Sequence, residues 1–176
     1  MIRARAIGGL LLAAALGMAA DAGVGKPLDV PFFRQEKNGC GAASVAMVAH
    51  YWAARSSKPP SPLPSPGDIY RRLYDGERHG ILLAEMRRYL SELGFQAFTF
   101  RGEWKDLDAQ LSQGRPAILG LRKGRSRDLH FVVLTGSEGG RVWLHDPTRK
   151  RPHRVKKADF EKRWASGGCW VLLATP

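Results

Sequence analysis

The order of hydrophobic and polar positions predicts a helical first half for this chain. Residues 40–52 are small or apolar and almost free of charge, which predicts a buried helix. In residues 81–94 the apolar side chains recur every three or four positions, as in an amphipathic helix that ends at a glycine. Shorter helices are predicted over residues 65–74, which start with a Ser-Pro-x-Asp capping pattern, and over residues 104–114.

The period changes in the second half, where short apolar or alternating runs are typical of strands. These runs are residues 116–121, 129–136, 141–147, 153–155 and 169–174, and one earlier strand is predicted at 95–100. The polar, glycine-rich stretch 137–140 predicts a hairpin between two of them. Helices followed by strands indicate an α+β fold, in which a helical half packs against an antiparallel sheet.

The first 22 residues have the pattern of a secretory signal peptide. Arg3 and Arg5 precede an apolar stretch from Ala6 to Ala20, and Ala20-Asp21-Ala22 fits a cleavage site. The apolar stretch is too short for a transmembrane helix, although an uncleaved N-terminal anchor is the alternative. We therefore expect residues 23–176 to form one periplasmic or secreted domain without a transmembrane segment.

The chain is strongly basic, with a formal net charge of +12, and much of this charge lies in two clusters. Residues 122–127 hold four basic side chains and residues 149–157 hold six. Such clusters could bind an acidic or anionic partner, or could simply form a solvated basic face. We find no nucleic-acid-binding motif and no interleaved aromatic residues, so no specific nucleic acid is expected. Arg122, Arg125 and Arg127 are the candidate contacts to an acidic peptide.

Cys40 is the candidate nucleophile, because it lies at the start of the predicted buried helix. The helix dipole and the unpaired N–H groups of the first turn both favour a thiolate there. Gly39 and Gly41 allow the backbone to approach a substrate closely. Two alternatives remain, namely a packed structural thiol and a disulfide with Cys169, the second cysteine of the chain.

Among the five histidines, His130 is the best candidate for a catalytic base. It opens an apolar strand after the basic loop, so it can face a cleft while the strand holds it rigidly. His50 lies ten residues along the helix from the thiol, about 15 Å away at the helical rise. His79 and His153 lie in charged loops, and His145 should point away from its neighbouring aspartate.

Asp146 is the candidate for orienting the His130 ring, since it ends the strand that follows through the hairpin. Asp128 is the alternative, but its backbone would have to fold back to reach the ring. Attack on a peptide carbonyl builds negative charge on oxygen, which the Cys40 N–H and a side-chain amide could stabilise. Gln35, just upstream of the nucleophile, provides that amide.

The stretches "VPFFRQEKNGCGAASVAMV", "LHFVVLTG" and "VWLHDP" together resemble the papain-like cysteine peptidases. They are most similar to the bacteriocin-processing, or double-glycine leader, peptidases of cysteine peptidase family 39, and the resemblance covers nearly all of residues 29–175. It implies a papain-like fold without a cofactor. It also implies roles for four residues: Cys40 as nucleophile, His130 as general base and acid, Asp146 as orienting residue, and Gln35 (or Asn38 in its place) as oxyanion donor.

The sequence therefore predicts an exported cysteine peptidase that cleaves a peptide or protein substrate through a thioester. Two alternatives use the same groove: a catalytically silent peptide-binding or maturation module, and an amidase or acyl transferase. A metal site is not expected, because no Cys-x-x-Cys motif occurs and His145 and His153 have no third ligand in register.

Overall fold

A computed structural model describes residues 26–122, 124 and 128–176 of the chain. The predicted signal peptide, together with Arg125 and Arg127, lies outside the described residues. The elements in chain order are α1 (Cys40–Ala53), α2 (Pro66–Leu73), α3 (Leu83–Glu92), β1 (Gln96–Arg101), α4 (Trp104–Ser112), β2 (Ala117–Arg122), β3 (Leu129–Glu138), β4 (Arg141–His145), β5 (His153–Lys156), α5 (Lys157–Ser166) and β6 (Trp170–Thr175).

The described strands form one antiparallel sheet in the order β1-β6-β2-β3-β4-β5. The predicted hairpin joins β3 to β4, with Glu138 paired to Arg141. Its two central residues, Gly139 and Gly140, have φ values of 55° and 70°, which glycine adopts without steric cost. The last strand, β6, returns to the middle of the sheet between β1 and β2.

Helices cover both faces of the sheet, so the α+β prediction is confirmed and extended. One face packs against α1 and α3, with α2 packed on α1, and it contributes Ile118, Phe131, Val133 and Leu172 to a core cluster. The other face packs against α4 and α5, and contributes alternate residues such as Val132 and Leu134. This arrangement explains why β2 is apolar along its length, since both of its faces are buried.

Helix α1 is buried nearly all round, as its sequence predicts. Its packing is tight at Gly41, where an added methyl group would lie 3.1 Å from Met86 Sδ and 3.2 Å from Ile81 Cβ. Small residues along α1 therefore let α3 and its preceding loop approach the helix closely. The result is a rigid support for the residue at the start of α1.

The predicted helix ends match the structure well. Ser65 and Asp68 form a reciprocal capping box at the start of α2, with Pro66 as its first residue. Gly94 and Gly114 follow α3 and α4 with φ values of 92° and 71°, as glycines at helix C-termini commonly do. In the described part of the chain, no helix is long and apolar enough to cross a membrane.

Two features differ from the sequence prediction. Helix α5 was not predicted, because it buries only Phe160 and Trp164 while its other residues are mostly charged or small. Cys169 was predicted inside a buried strand, but it precedes β6 with a φ of 57° and is half-buried. It belongs to the turn that connects α5 to the sheet.

Candidate active site

Cys40 is the first residue of α1, at the end of the helix where backbone N–H groups lack intrahelical partners. Gly39 occupies the N-cap position without a side chain to cap those groups, and the first turn contains no acidic residue. The positive end of the helix dipole therefore acts on the thiol without an opposing carboxylate nearby in the helix. The cysteine is half-buried, with its helix fixed in the core behind it.

His130 and Asp146 form a buried pair in which His130 Nε2 lies 2.7 Å from Asp146 Oδ1. His130 is the second residue of β3, and Asp146 directly follows β4. The register pairs Val133 with His145, so Asp146 reaches the histidine diagonally and is not directly opposite it. Each residue is 6% exposed, which makes the pair largely inaccessible to water.

The Cys40 thiol lies on the other side of the His130 ring. It lies close enough for hydrogen bonding from the His130 side chain and from the backbone N–H groups of Phe131 and Gly41 to act on its charge. Burial alone would raise the pKa of Cys40, but these hydrogen bonds and the positive charge of His130 bring it below its ordinary value. Because Asp146 already engages Nε2, the ring nitrogen that remains for the thiol is Nδ1.

The charged forms of Cys40, His130 and Asp146 are favoured. Burial would lower the pKa of His130, but hydrogen bonds and attraction from Asp146 and Cys40 raise it to about 9. Burial would raise the pKa of Asp146, yet contacts with His130 and Thr148 hold it far below its usual range. Thr148 donates from Oγ1 (2.6 Å) and from its backbone N–H (3.0 Å) to Asp146 Oδ1. A thiolate facing an imidazolium is the state that these contacts stabilise.

The segment before α1 is tied to the Asp146 loop. The Gln35 N–H donates to the carbonyl of Pro147 at 3.0 Å, which places the glutamine beside the strand end that carries Asp146. Gln35 is half-buried, and its Oε1 has no hydrogen-bond partner among the described residues. Asn38, the alternative amide, lies in the turn before Gly39 with a φ of 58°.

Of the three arginines predicted to contact an acidic peptide, only Arg122 is described. It is partly exposed at the end of β2, and its Nε donates to the carbonyl of Ser166 at 2.9 Å. The neighbouring residue Leu121 pairs with His130, so Arg122 lies near the candidate base. Arg125 and Arg127 lie outside the described residues, and their role stays a prediction.

The other histidines of the sheet and of α1 are engaged elsewhere. His50 lies 3.1 Å from the carbonyl of Pro64 and packs edge-on against Phe33. Burial lowers the pKa of His145 to about 4, against an opposing contribution from the Pro31 backbone. Among the described residues, no group of three or more His, Cys, Asp or Glu side chains is placed to hold a metal ion.

Neither cysteine forms a disulfide in this structure. Cys40 packs against the core cluster on the α1 face of the sheet, whereas Cys169 packs against the cluster on the α4 and α5 face. The sheet therefore separates the two sulfur atoms, and the disulfide considered from the sequence does not form.

A cleft of about 390 Å³ opens beside the buried pair and is lined by His130, Asp146, Thr148, Arg149 and Arg163. Sequence reasoning missed the last three as neighbours of the site. The Asp-Pro-Thr order could have predicted the contact between Thr148 and Asp146, because an Asp side chain commonly accepts a hydrogen bond from the N–H two residues on. A second cavity, of about 450 Å³, lies at the far end of α1 around His50 and Leu63, away from Cys40.

Comparisons with known proteins identify the family and the fold of the chain. A family model described as "Peptidase_C39 like family" matches residues 27–170. No curated protein sequence matches the chain. Among solved structures, a candidate C39-like peptidase from Bacillus anthracis is similar with a TM-score of 0.67 and 16% identity, covering 84% of this chain and 95% of that one.

Two peptidase domains of export transporters are also similar. One is a double-glycine-motif protease of an AMS/PCAT transporter, solved with its leader peptide (TM-score 0.64, 23% identity, 85% of this chain and 94% of that one). The other is the peptidase domain of Streptococcus ComA, a bifunctional ABC transporter of a quorum-sensing pathway (TM-score 0.63, 20% identity, 82% and 97%). At these identities the likenesses show the fold.

Proposed function

The chain belongs to the Peptidase_C39 like family, and from that premise we propose that it is an exported cysteine peptidase that hydrolyses peptide bonds. The predicted family and papain-like α+β fold are confirmed. The observation that carries the proposal is the continuous contact from the Cys40 thiol through the His130 ring to the Asp146 carboxylate.

In the first half of the reaction, the Cys40 thiolate attacks the carbonyl carbon of the substrate and forms a C–S bond. The carbonyl oxygen becomes an oxyanion, which the Cys40 N–H and the Gln35 side-chain amide are proposed to stabilise. The C–N bond then breaks, and His130 transfers its proton to the leaving amine. The products of this half are a free amine and a thioester on Cys40.

In the second half, neutral His130 removes a proton from water, and the resulting hydroxide attacks the thioester. The C–S bond breaks, a carboxylic acid leaves, and the thiolate–imidazolium pair returns. Asp146 accepts a hydrogen bond from Nε2 throughout, which keeps Nδ1 directed at the reacting atoms and stabilises the imidazolium. Apart from the substrate and this water, every group that takes part belongs to the chain.

The proposal also includes export and a class of substrate, and each rests on a different observation. Export is supported by the signal-peptide pattern of residues 1–22 in the sequence. A peptide or protein substrate is supported by the relative from the AMS/PCAT transporter, which was solved with a bound leader peptide.

The test is cleavage of a peptide library by the mature protein and by Cys40→Ala, read by mass spectrometry. We expect the wild type to cleave peptides and Cys40→Ala to lose at least about a thousandfold in kcat/KM, because no other described group replaces the nucleophile. Cys169→Ala is the matched control and should retain activity. Cleavage by Cys40→Ala at the wild-type rate would rule out the mechanism, and peptide binding without cleavage by the wild type would favour a silent binding module.

A further inference from the structure

The cleft beside His130 and Asp146 contains two arginines that pair with no acidic side chain among the described residues. Arg149 lies three residues after Asp146, in a turn closed by its own N–H donating to the Asp146 carbonyl at 2.9 Å. Arg163 reaches the same cleft from α5. Neither guanidinium forms an ion pair or hydrogen bond with a carboxylate among the described residues, and both residues are exposed.

The surroundings do not neutralise these two charges. Residues 141–163 hold nine Lys and Arg side chains against three Asp and Glu. One of those three acids is Asp146, whose Oδ1 is already engaged by His130 and Thr148. Both arginines lie close to the same neighbouring side chain, His153. Their positive charges and burial lower the pKa of His153, whereas attraction from Asp146 raises it. Two converging cations beside a cleft favour binding of an anion.

The position of the cleft relative to Cys40 indicates which part of a substrate would reach it. Cys40 projects from α1 on one face of the sheet, whereas Arg163 belongs to α5 on the other face. His130 lies between them, in contact with the thiol and lining the cleft. In the proposed reaction His130 protonates the leaving amine, so the chain that follows the scissile bond must pass the histidine. The cleft is therefore on the leaving-group side.

We propose that Arg149 and Arg163 bind a carboxylate of the substrate on the C-terminal side of the scissile bond. This inference rests on the proposed peptidase function and names its substrate class: peptides with an acidic group in the released segment. The planar guanidinium groups suit a carboxylate, which can accept two hydrogen bonds from each. Arg122, Arg125 and Arg127, which the sequence suggests as contacts to an acidic peptide, are not needed for it.

The experiment compares peptides that the wild type cleaves and that differ only in the released segment, with Glu in one and Gln in the other, both amidated. We expect kcat/KM to be about five- to tenfold higher for the Glu peptide at low salt, and less so in 0.5 M NaCl. A third peptide, with Gln and a free C-terminal carboxylate, separates the two sources of the charge. Preference for the third peptide over its amidated form assigns the cleft to a chain terminus.

Arginine variants then test whether the preference for the Glu peptide arises in this cleft. The double change Arg149→Gln and Arg163→Gln should bring the Glu-to-Gln ratio of kcat/KM to about one. Arg151→Gln with Lys162→Gln is the matched control, because it removes the same charge from neighbouring exposed residues that do not line the cleft. An equal loss in the control, or a wild type that cleaves all three peptides equally, would overturn the proposal.

Binding separates failure of this inference from failure of the proposed function. In Cys40→Ala, fluorescence anisotropy with the same labelled peptides reports affinity without cleavage. Tighter binding of a carboxylate-bearing peptide, lost in the double arginine variant, supports the cleft even if the wild type cleaves nothing. Equal affinity for all three peptides would reject the cleft as a carboxylate site, whatever the outcome of the cleavage assay.

Discussion

The helical region and the region around β4 and α5 use their charged side chains in different ways. In the helical region the described ion pairs join neighbouring side chains on α2, α3 and the loop between them: Arg71 with Asp68, Arg72 with Glu92, Arg78 with Asp75, and Arg88 with Glu85 and Glu92. Beside the cleft, Arg149 and Arg163 have no such partner among the described residues. The charges of the first region are paired with one another, whereas those of the second are available to a ligand.

The same two regions divide the reactive groups. Helix α1 contributes the thiol, and strands β3 and β4 contribute the histidine and the carboxylate. Groups from both regions lower the pKa of Cys40 against the opposing effect of burial: His130 and the Phe131 N–H from β3, and the Gly41 N–H from α1. The reactivity of Cys40 therefore depends on the contact between α1 and the start of β3.

The largest effect is expected from His130→Ala. Loss of the ring removes the hydrogen bond and the positive charge that lower the pKa of Cys40, while burial still raises it. Alkylation of Cys40 between pH 6 and 7 should slow by about tenfold for each unit by which the pKa rises. Mass spectrometry of the labelled peptides measures the rate, with Cys169 in the same sample as the reference.

Two outcomes would contradict the role of His130 in activating Cys40. Unchanged labelling of Cys40 in His130→Ala would mean that the helix terminus alone activates the thiol. Equal slowing at Cys40 and Cys169 would point to a general change in folding, which circular dichroism of the variant would reveal.

A smaller effect is expected from Asp146→Asn. The amide keeps the shape but removes the negative charge that helps to raise the pKa of His130 to about 9. The imidazolium should then lose its proton at lower pH, so the alkaline limb of the kcat/KM profile should move toward neutrality. At pH 8 we expect a loss of about tenfold, falling as the pH is lowered. A limb that stays near pH 9 would show that Asp146 does not set the charge of His130.

The smallest effect is expected from Arg72→Gln in the helical region. Arg72 pairs with Glu92 at 2.7 Å, but its side chain is 61% exposed. Such a surface pair contributes less than about 1 kcal/mol to the free energy of unfolding. Urea unfolding should detect at most this change, and kcat/KM for the Glu and Gln peptides should keep the wild-type ratio. A changed ratio would mean that helical charges also act on the substrate.

Much of the fold could be predicted because local signals agree with the tertiary structure. The uncharged run of α1, the capping box at Ser65 and the glycines after α3 and α4 each specify an element through its own residues. His130 and Asp146 could be predicted as neighbours because a two-residue hairpin joins their strands and so limits the register.

The remainder depends on contacts that the sequence does not encode locally. Helix α5 has only two buried side chains, so its periodicity is too weak to distinguish it from a basic loop. The cleft pairs Arg149 with Arg163, which become neighbours only when α5 packs on the sheet. Likewise, the N–H of Phe131 reaches Cys40 only because α1 begins beside the first residues of β3.

The separation of the two cysteines by the sheet has a consequence for oxidative chemistry. An oxidised Cys40, as a sulfenic acid, has no second thiol of the chain within reach to trap it as an internal disulfide. Protection must then come from a small thiol or a separate reductase acting through a mixed disulfide. Without one, peroxide would oxidise the sulfur irreversibly to the sulfinic acid, so the lifetime of the Cys40 thiol depends on the reductants that surround the protein.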